Sequence, residues 1–354
     1  MPAATVPQFP DDVPTVPLLV IDYALVEAGN EAEIGRLWQA ATQLGFWYLK
    51  NHGADEEVSA MFEMGDATMQ LPLEEKMAYE QGNDGNSFGY KAAGANATDE
   101  YGSLDFVEFI NVAKDDALAY PSVVHRQYPS TVRERMVSTV APFVRKSIEV
   151  NNTLLSAFND RLGLPAGTLL RLHALDESSG SETRCIKTPP SQTISQDKAA
   201  IGAHTDFGSL SFLHHKLLGG LQVLPPGTEA WKYVKPIPGH AICNVGDALS
   251  IFSGGILRSN LHRVVPPPKA QAAFERWSLV FFTRPGYSQL LEPLVNDSPL
   301  IAAAVGSALP GRFSTGATAK EWFTRRIKNQ RIANRAGPET WRESRGTEHK
   351  VEAI

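Results

Sequence analysis

Only two cysteines, Cys185 and Cys243, occur in 354 residues, each inside an apolar stretch. That excludes a secreted disulfide framework and predicts a cytoplasmic protein in a reducing compartment. Nowhere do about 18 apolar residues run together, and the N-terminus has neither a positive region nor an apolar core, so no membrane span or export signal is expected. Basic residues are outnumbered: 33 Lys and Arg face 39 Asp and Glu, a formal charge of −6. That is the wrong sign for a chain that lives on a phosphate backbone or an anionic membrane, and it argues against nucleic acid and lipid as partners. The glycine-rich stretch 82–105 contains no G-x-G-x-x-G or G-x-x-x-x-G-K-[ST] spacing, which removes the usual motifs for nucleotide binding there. Compositional bias is missing too, since 43% hydrophobic and 20% charged residues describe an ordinary globular chain with enough apolar material for a sizeable core.

The pattern along the chain changes twice. Residues 16–23 (VPLLVIDY) read as a buried strand. A helix follows, opened by Asn30 with Glu33 and stopped by Gly45, then a strand at 46–49 and a helix opened by Asp55. Residues 82–105, dense in Gly, Asn and Asp, read as a mobile surface loop or lid. One long helical tract spans roughly 130–162, with Val132, Met136, Val140, Phe143, Val144, Leu155 and Phe158 on its apolar side. From 182 to 283 eight short apolar segments alternate with Gly, Pro, Asp or Ser and predict a jelly-roll-like barrel; 248–252 is one of these strands. Thr318 with Glu321 makes a capping box for a last helix, whose Arg325, Arg326, Arg331 and Arg335 read as a solvated face.

Chemistry concentrates in the β region. In His204-Thr205-Asp206 the strand alternation puts the imidazole and the carboxylate on one side and Thr205 on the other. His262 lies far enough downstream for intervening strands to bring it alongside. Two imidazoles and one carboxylate on a barrel wall form a facial set that leaves open positions on Fe(II), whereas catalytic zinc more often takes three His, two His with Glu, or Cys-containing sets. Arg276 and Ser278 again share one face of a strand. A guanidinium inside an apolar barrel is costly unless a carboxylate meets it, supplied either by a buried side chain such as Asp247 or by a small dicarboxylic cosubstrate. His173, His214, His215 and His240 lack the pattern and read as surface or structural.

Taken together these residues resemble the iron(II)- and 2-oxoglutarate-dependent oxygenases of the isopenicillin N synthase-like family. The similarity is carried by V-P-x-x-x-x-D at Val16 to Asp22, G-F to N-H-G at Gly45 to Gly53, H-T-D at His204 to Asp206, G-G-L-Q-V at Gly219 to Val223, N-x-G-D at Asn244 to Asp247, H-R-V at His262 to Val264 and R-x-S at Arg276 to Ser278. The resemblance implies a mixed α and β fold: a double-stranded β-helix (jelly-roll) core with surrounding α-helices. It further implies His204, Asp206 and His262 as catalytic iron ligands, Arg276 and Ser278 on the distal carboxylate of 2-oxoglutarate, and O2 as the other cosubstrate, with succinate and CO2 released. One departure stands out: where many members read R-x-N-x-Y-P, this chain reads Arg184-Cys185-Ile186-Lys187-Thr188-Pro189, so Ile186 and Thr188 replace an Asn and a Tyr. Whether Lys187 faces inward is open at this level. The C-terminal segment with Trp322 and Trp341 looks like natural-product oxygenases of fungal type.

The expected division is an N-terminal αβ region 1–129, a backing helix and connector 130–181, the catalytic core 182–290 and a helical segment 291–354, joined in one catalytic unit. Phe88, Tyr90, Phe106, Phe207, Leu221 and Phe282 are the candidates for contact with a small, mostly apolar organic substrate. The competing readings are an iron oxidase of the same fold that uses no 2-oxoglutarate, and a small-ligand-binding module without turnover.

Overall fold

The computed structural model describes residues 6–191, 194–195 and 198–347. Among these residues twelve strands are formed: β1 (Val20–Asp22), β2 (Phe46–Lys50), β3 (Gly89–Lys91), β4 (Glu108–Ala113), β5 (Glu182–Thr188), β6 (Ile201–His204), β7 (Leu210–His215), β8 (Leu221–Val223), β9 (Lys232–Tyr233), β10 (His240–Val245), β11 (His262–Val264) and β12 (Arg276–Thr283). They make an eight-stranded sheet in the order β1-β2-β10-β7-β12-β5-β4-β3 and a four-stranded sheet in the order β6-β11-β8-β9. Apart from the parallel β1–β2 pair, the strands pair antiparallel. This is the double-stranded β-helix that the motifs imply.

Period-two alternation explains how the large sheet is buried on both sides. Phe46, Tyr48, Phe109, Ile186, Ile242 and Val280 point inward, onto Leu221, Val223 and Val264 of the small sheet. Their neighbours Trp47, Leu49, Ile110, Cys185, Cys243, Leu279 and Phe281 point outward and pack with Leu37, Met61, Phe143, Leu154 and Phe158 of the helical layer. Gly65, on the Asp55–Met69 helix, is needed for that packing, since a Cβ there would collide with Cys185 Sγ. The same alternation settles Lys187: Ile186 lies in the inner cluster, so Lys187 is on the outer face, paired to Glu275 at 3.0 Å.

Several local expectations are corrected. Residues 248–252 belong to a helix, Asp247–Phe252, buried on every side; a five-residue run that is apolar except for Ser250 is too short to carry a period that separates helix from strand. The tract at 130–162 is interrupted: Ser130–Arg133 is followed by a π segment, Met136–Val140, and the main helix Ala141–Arg161 starts with Pro142 in its first turn, where the missing N–H costs nothing. The stretch at 82–105 contributes β3 to the sheet edge and closes on itself through a buried Lys91–Asp105 ion pair. A further helix, Pro338–Glu343, closes the described chain, and at the helix before it, Ala319–Gln330, the capping box of Thr318 and Glu321 forms. Its arginines are not a solvated face, because Arg326 is buried against Asp247 and Arg331 against Glu80.

Candidate active site

His204 ends β6 and His262 begins the antiparallel β11, and the register pairs these two residues directly. Their rings lie 4.3 Å apart between centroids. Asp206 follows two residues after His204, and its Oδ1 sits 3.6 Å from Nε2 of both histidines. The three potential ligand atoms all fall within 4.8 Å of one another. Each imidazole has its Nδ1 on a carbonyl, His204 on Gly202 at 2.7 Å and His262 on Asn260 at 3.2 Å. Nδ1 therefore donates, and the Nε2 lone pair is left for a metal. Oδ2 of Asp206 accepts from Ser211 Oγ at 2.5 Å and Asn244 Nδ2 at 2.6 Å, which turns Oδ1 toward the histidines. Burial alone would raise the Asp206 carboxyl, but His262 and His204 hold it well below the ordinary carboxylate range. Burial and the His262 charge lower His204, whereas Asp206 outweighs burial and raises His262. An acceptor-only trio whose other polar atoms are already satisfied fits a divalent cation.

Sequence reasoning missed the residues that hold this trio. Asn244 and Ser211 are register partners on β10 and β7, so both point inward at one Asp206 oxygen; the N-x-G-D motif was visible, but not the strand it would face. Asp247 accepts from Thr205 Oγ1 at 3.0 Å and pairs with Arg326, whose Nη2 donates to the Thr205 carbonyl at 2.9 Å. Gly202 is dictated by contact, since a Cβ would run into the Thr98 carbonyl.

Arg276 and Ser278 share the inward face of β12 with Val280, while Trp277, Leu279 and Phe281 face outward. Nη1 of Arg276 donates to Ser278 Oγ at 2.9 Å and Nε to the Gly219 carbonyl at 2.7 Å. Arg276 is 3% exposed and, among the described residues, meets no carboxylate. Asp247, the side chain that the sequence offered as its partner, is taken by Arg326. Burial lowers the guanidinium to about 10. A buried cation without an anion is an unstable arrangement that an incoming carboxylate would complete, so the donor set also fits a small dicarboxylate. Next to it stand Thr188, opposite Arg276, and His215, opposite Ser278.

A cavity with about 690 Å³ of empty space, its open mouth included, lies over His204 and Asp206. Phe207 and Phe282 line it, together with Val107, Phe109, Ile201 and Trp341. Phe88 and Tyr90 do not: Phe88 is buried 4.8 Å from the His125 ring, and Tyr90 is in the helix-side core with its hydroxyl on Glu108 at 2.7 Å. Phe106 and Leu221 pack between the two sheets. Alternation decides the placements of Tyr90, Leu221 and Phe282, which lie on strands, and a strand read without its partner does not reveal which face is inner.

A double-stranded β-helix with two imidazoles and a carboxylate on one wall defines the non-haem iron oxygenase class. Two family profiles match, one described as the 2OG-Fe(II) oxygenase superfamily over residues 182–285 and one as non-haem dioxygenase in morphine synthesis N-terminal over residues 18–133. A 2-oxoglutarate-dependent dioxygenase of Aspergillus fumigatus is 29% identical, covering 92% of this chain and 91% of its own. A 1-aminocyclopropane-1-carboxylate oxidase of Dictyostelium discoideum is 25% identical over 82% of this chain and 87% of its own. Among solved structures, a full-length Neurospora crassa protein in complex with alpha-KG and 5-formyluracil superposes with a TM-score of 0.71 at 21% identity, covering 90% of this chain and 97% of that one. The chain belongs to the 2OG-Fe(II) oxygenase superfamily and is a 2-oxoglutarate-dependent dioxygenase, with Fe(II) and 2-oxoglutarate as its cofactors. No helix among the described residues is long and apolar enough to cross a membrane.

Proposed function

We propose that this enzyme oxidises a small organic molecule with a largely apolar body, by hydroxylation, desaturation or rearrangement, in natural-product metabolism, releasing succinate and CO2. The observation that carries the cosubstrate assignment is Arg276, buried beside Ser278 with no protein carboxylate to meet it among the described residues. In this reading His204, Asp206 and His262 hold Fe(II), and Arg276 with Ser278 takes the distal carboxylate of 2-oxoglutarate. Bound iron would activate O2, the oxidant, and 2-oxoglutarate would give two of the four electrons that O2 takes up, leaving as succinate and CO2, with the other two coming from the substrate. The chain's own contribution is placement. Gly202 and Asn260 hold both imidazoles in the Nδ1–H form, Ser211 and Asn244 aim Asp206 Oδ1, and Phe207, Phe282 and Trp341 keep water from the substrate. The A. fumigatus relative's name supports use of 2-oxoglutarate. Two buried, unpaired thiols are in keeping with a cytoplasmic setting.

The test is anaerobic absorbance on adding Fe(II) and then 2-oxoglutarate to metal-free protein. A weak visible charge-transfer band is expected, with half-saturation displaced to higher 2-oxoglutarate in Arg276→Ala. Iron binding without a band, or a band whose half-saturation is the same in Arg276→Ala, would remove Arg276 and Ser278 from the distal carboxylate.

A further inference from the structure

The cavity over the metal ligands is not uniformly apolar: Arg345 lines it, held on the Ala203 carbonyl and over the Trp341 ring, and Arg184 and Arg284 line it side by side. Behind them Glu182, fully buried, offers a single oxygen to both, accepting from Arg184 Nη2 at 2.9 Å and Arg284 Nη2 at 3.1 Å. That oxygen also accepts from Ser87 Oγ at 2.9 Å. Two guanidiniums thus share one carboxylate, and this wall keeps one uncompensated positive charge. Of the carboxylates that line the cavity, Asp206 belongs to the metal site and Asp105 is already paired with Lys91. Neither arginine is free to swing into bulk water. Arg184 lies 4.3 Å from the Phe109 ring centroid and 5.0 Å from that of Phe282, and Arg284 lies 5.0 Å from Phe282 and 4.6 Å from Phe323. Their side chains are 17% and 6% exposed.

Hydrogen-bonding capacity is left over as well. Arg184 spends Nε on Asn111 and Nη2 on Glu182 and Ser87, and its Nη1 has no partner among the described residues. Nε of Arg284 is buried without a partner. Like charges held together in a water-poor wall repel, and a second anion relieves the repulsion and fills the donors. The surplus positive charge on the Arg184 and Arg284 wall matches a carboxylate, and the flanking Phe109 and Phe282 rings suit an apolar body attached to it.

We propose that the substrate bears a carboxylate, which docks on Arg184 with Arg284 behind it and leaves the apolar body over His204 and Asp206. The proposal deepens the oxygenase reading and rests on it for what the substrate meets next. Matched probes test it: 3-phenylpropanoate and decanoate against their primary amides, each added to the anaerobic Fe(II) and 2-oxoglutarate holoenzyme. Binding is measured by equilibrium dialysis, with the visible band followed in parallel. At least one acid is expected to bind about tenfold or more tighter than its amide. Arg184→Gln should remove that preference and Arg184→Lys restore part of it, with the band retained in both. Amides that bind as well as acids, acids that do not bind at all, or a preference that survives both Arg184→Gln and Arg284→Gln would overturn the proposal. Dialysis reports binding whether or not the band forms, so a missing band counts against the cosubstrate reading and a missing acid preference against the arginine site.

Discussion

Asp206 carries more of the metal site's order than its place in a three-residue motif suggests. One oxygen is held by Ser211 and Asn244, and only that restraint keeps the other facing His204 and His262. Ser211→Ala should weaken Fe(II) affinity roughly 10- to 100-fold while leaving the fold intact, as loss of an outer hydrogen bond to a ligand does elsewhere. Competition titration against a chelator of known affinity checks this, and unchanged affinity would show that Asn244 alone orients the carboxylate. The metal ligands were legible as residue types because H-x-D keeps an imidazole and a carboxylate close together, although β6 ends at His204 and Asp206 lies just beyond the strand whose alternation the sequence suggested. Ser211 was not, since nothing about a serine in an apolar strand says which carboxylate lies across the sheet.

At the scale of elements, the Ala319–Gln330 helix acts as a clamp on the loop between His204 and Asp206. Arg326 reaches through the wall to pair with Asp247 and to donate to the Thr205 and Ser344 carbonyls, while its guanidinium lies 4.1 Å from the Phe207 ring centroid. Removing one partner of a fully buried pair strands the other charge, so Arg326→Ala should cost about 3–5 kcal/mol of stability and weaken metal binding as the loop relaxes. Chemical denaturation together with the iron titration reads both effects, and a stable variant with unchanged iron affinity would contradict the clamp. The capping box located the start of this helix, which ends at Gln330 instead of reaching Arg335, but an arginine on a helix looks the same in sequence whether it faces solvent or a buried aspartate in a distant element.

The whole molecule carries a pH signature through His173, which joins the Thr168–Leu172 turn of helix to the sheet. Its Nδ1 is 2.6 Å from the Leu169 carbonyl and its Nε2 is 2.6 Å from Ser209 Oγ, contacts that suit a neutral ring. Burial lowers it to about 4. The unfolded chain therefore takes up this proton near pH 6.5 and the folded one only near 4, so the contribution to stability is complete above pH 6.5 and is lost as pH falls from 6.5 to 4. For a ring not fully shielded from water, the loss should be roughly 2 kcal/mol. Urea unfolding at pH 7 and pH 5 should show a smaller decline in His173→Gln than in the unaltered chain, and equal declines would remove His173 as the cause.

What the amino-acid order determined by itself was everything that depends on local period and spacing: the strand-rich half, the capped helices, the His204, Asp206 and His262 set, and the pairing of Arg276 with Ser278 on one face. Tertiary structure alone decided which face of each strand is inner, and with it the fate of Lys187, Tyr90 and Leu221. It also decided that Asp247 belongs to Arg326, leaving Arg276 without a protein anion among the described residues, and that Arg184 and Arg284 meet at one glutamate above the metal ligands. The physical reason is that burial and charge balance are properties of neighbours, and in a double-stranded β-helix the neighbours come from strands far apart in sequence.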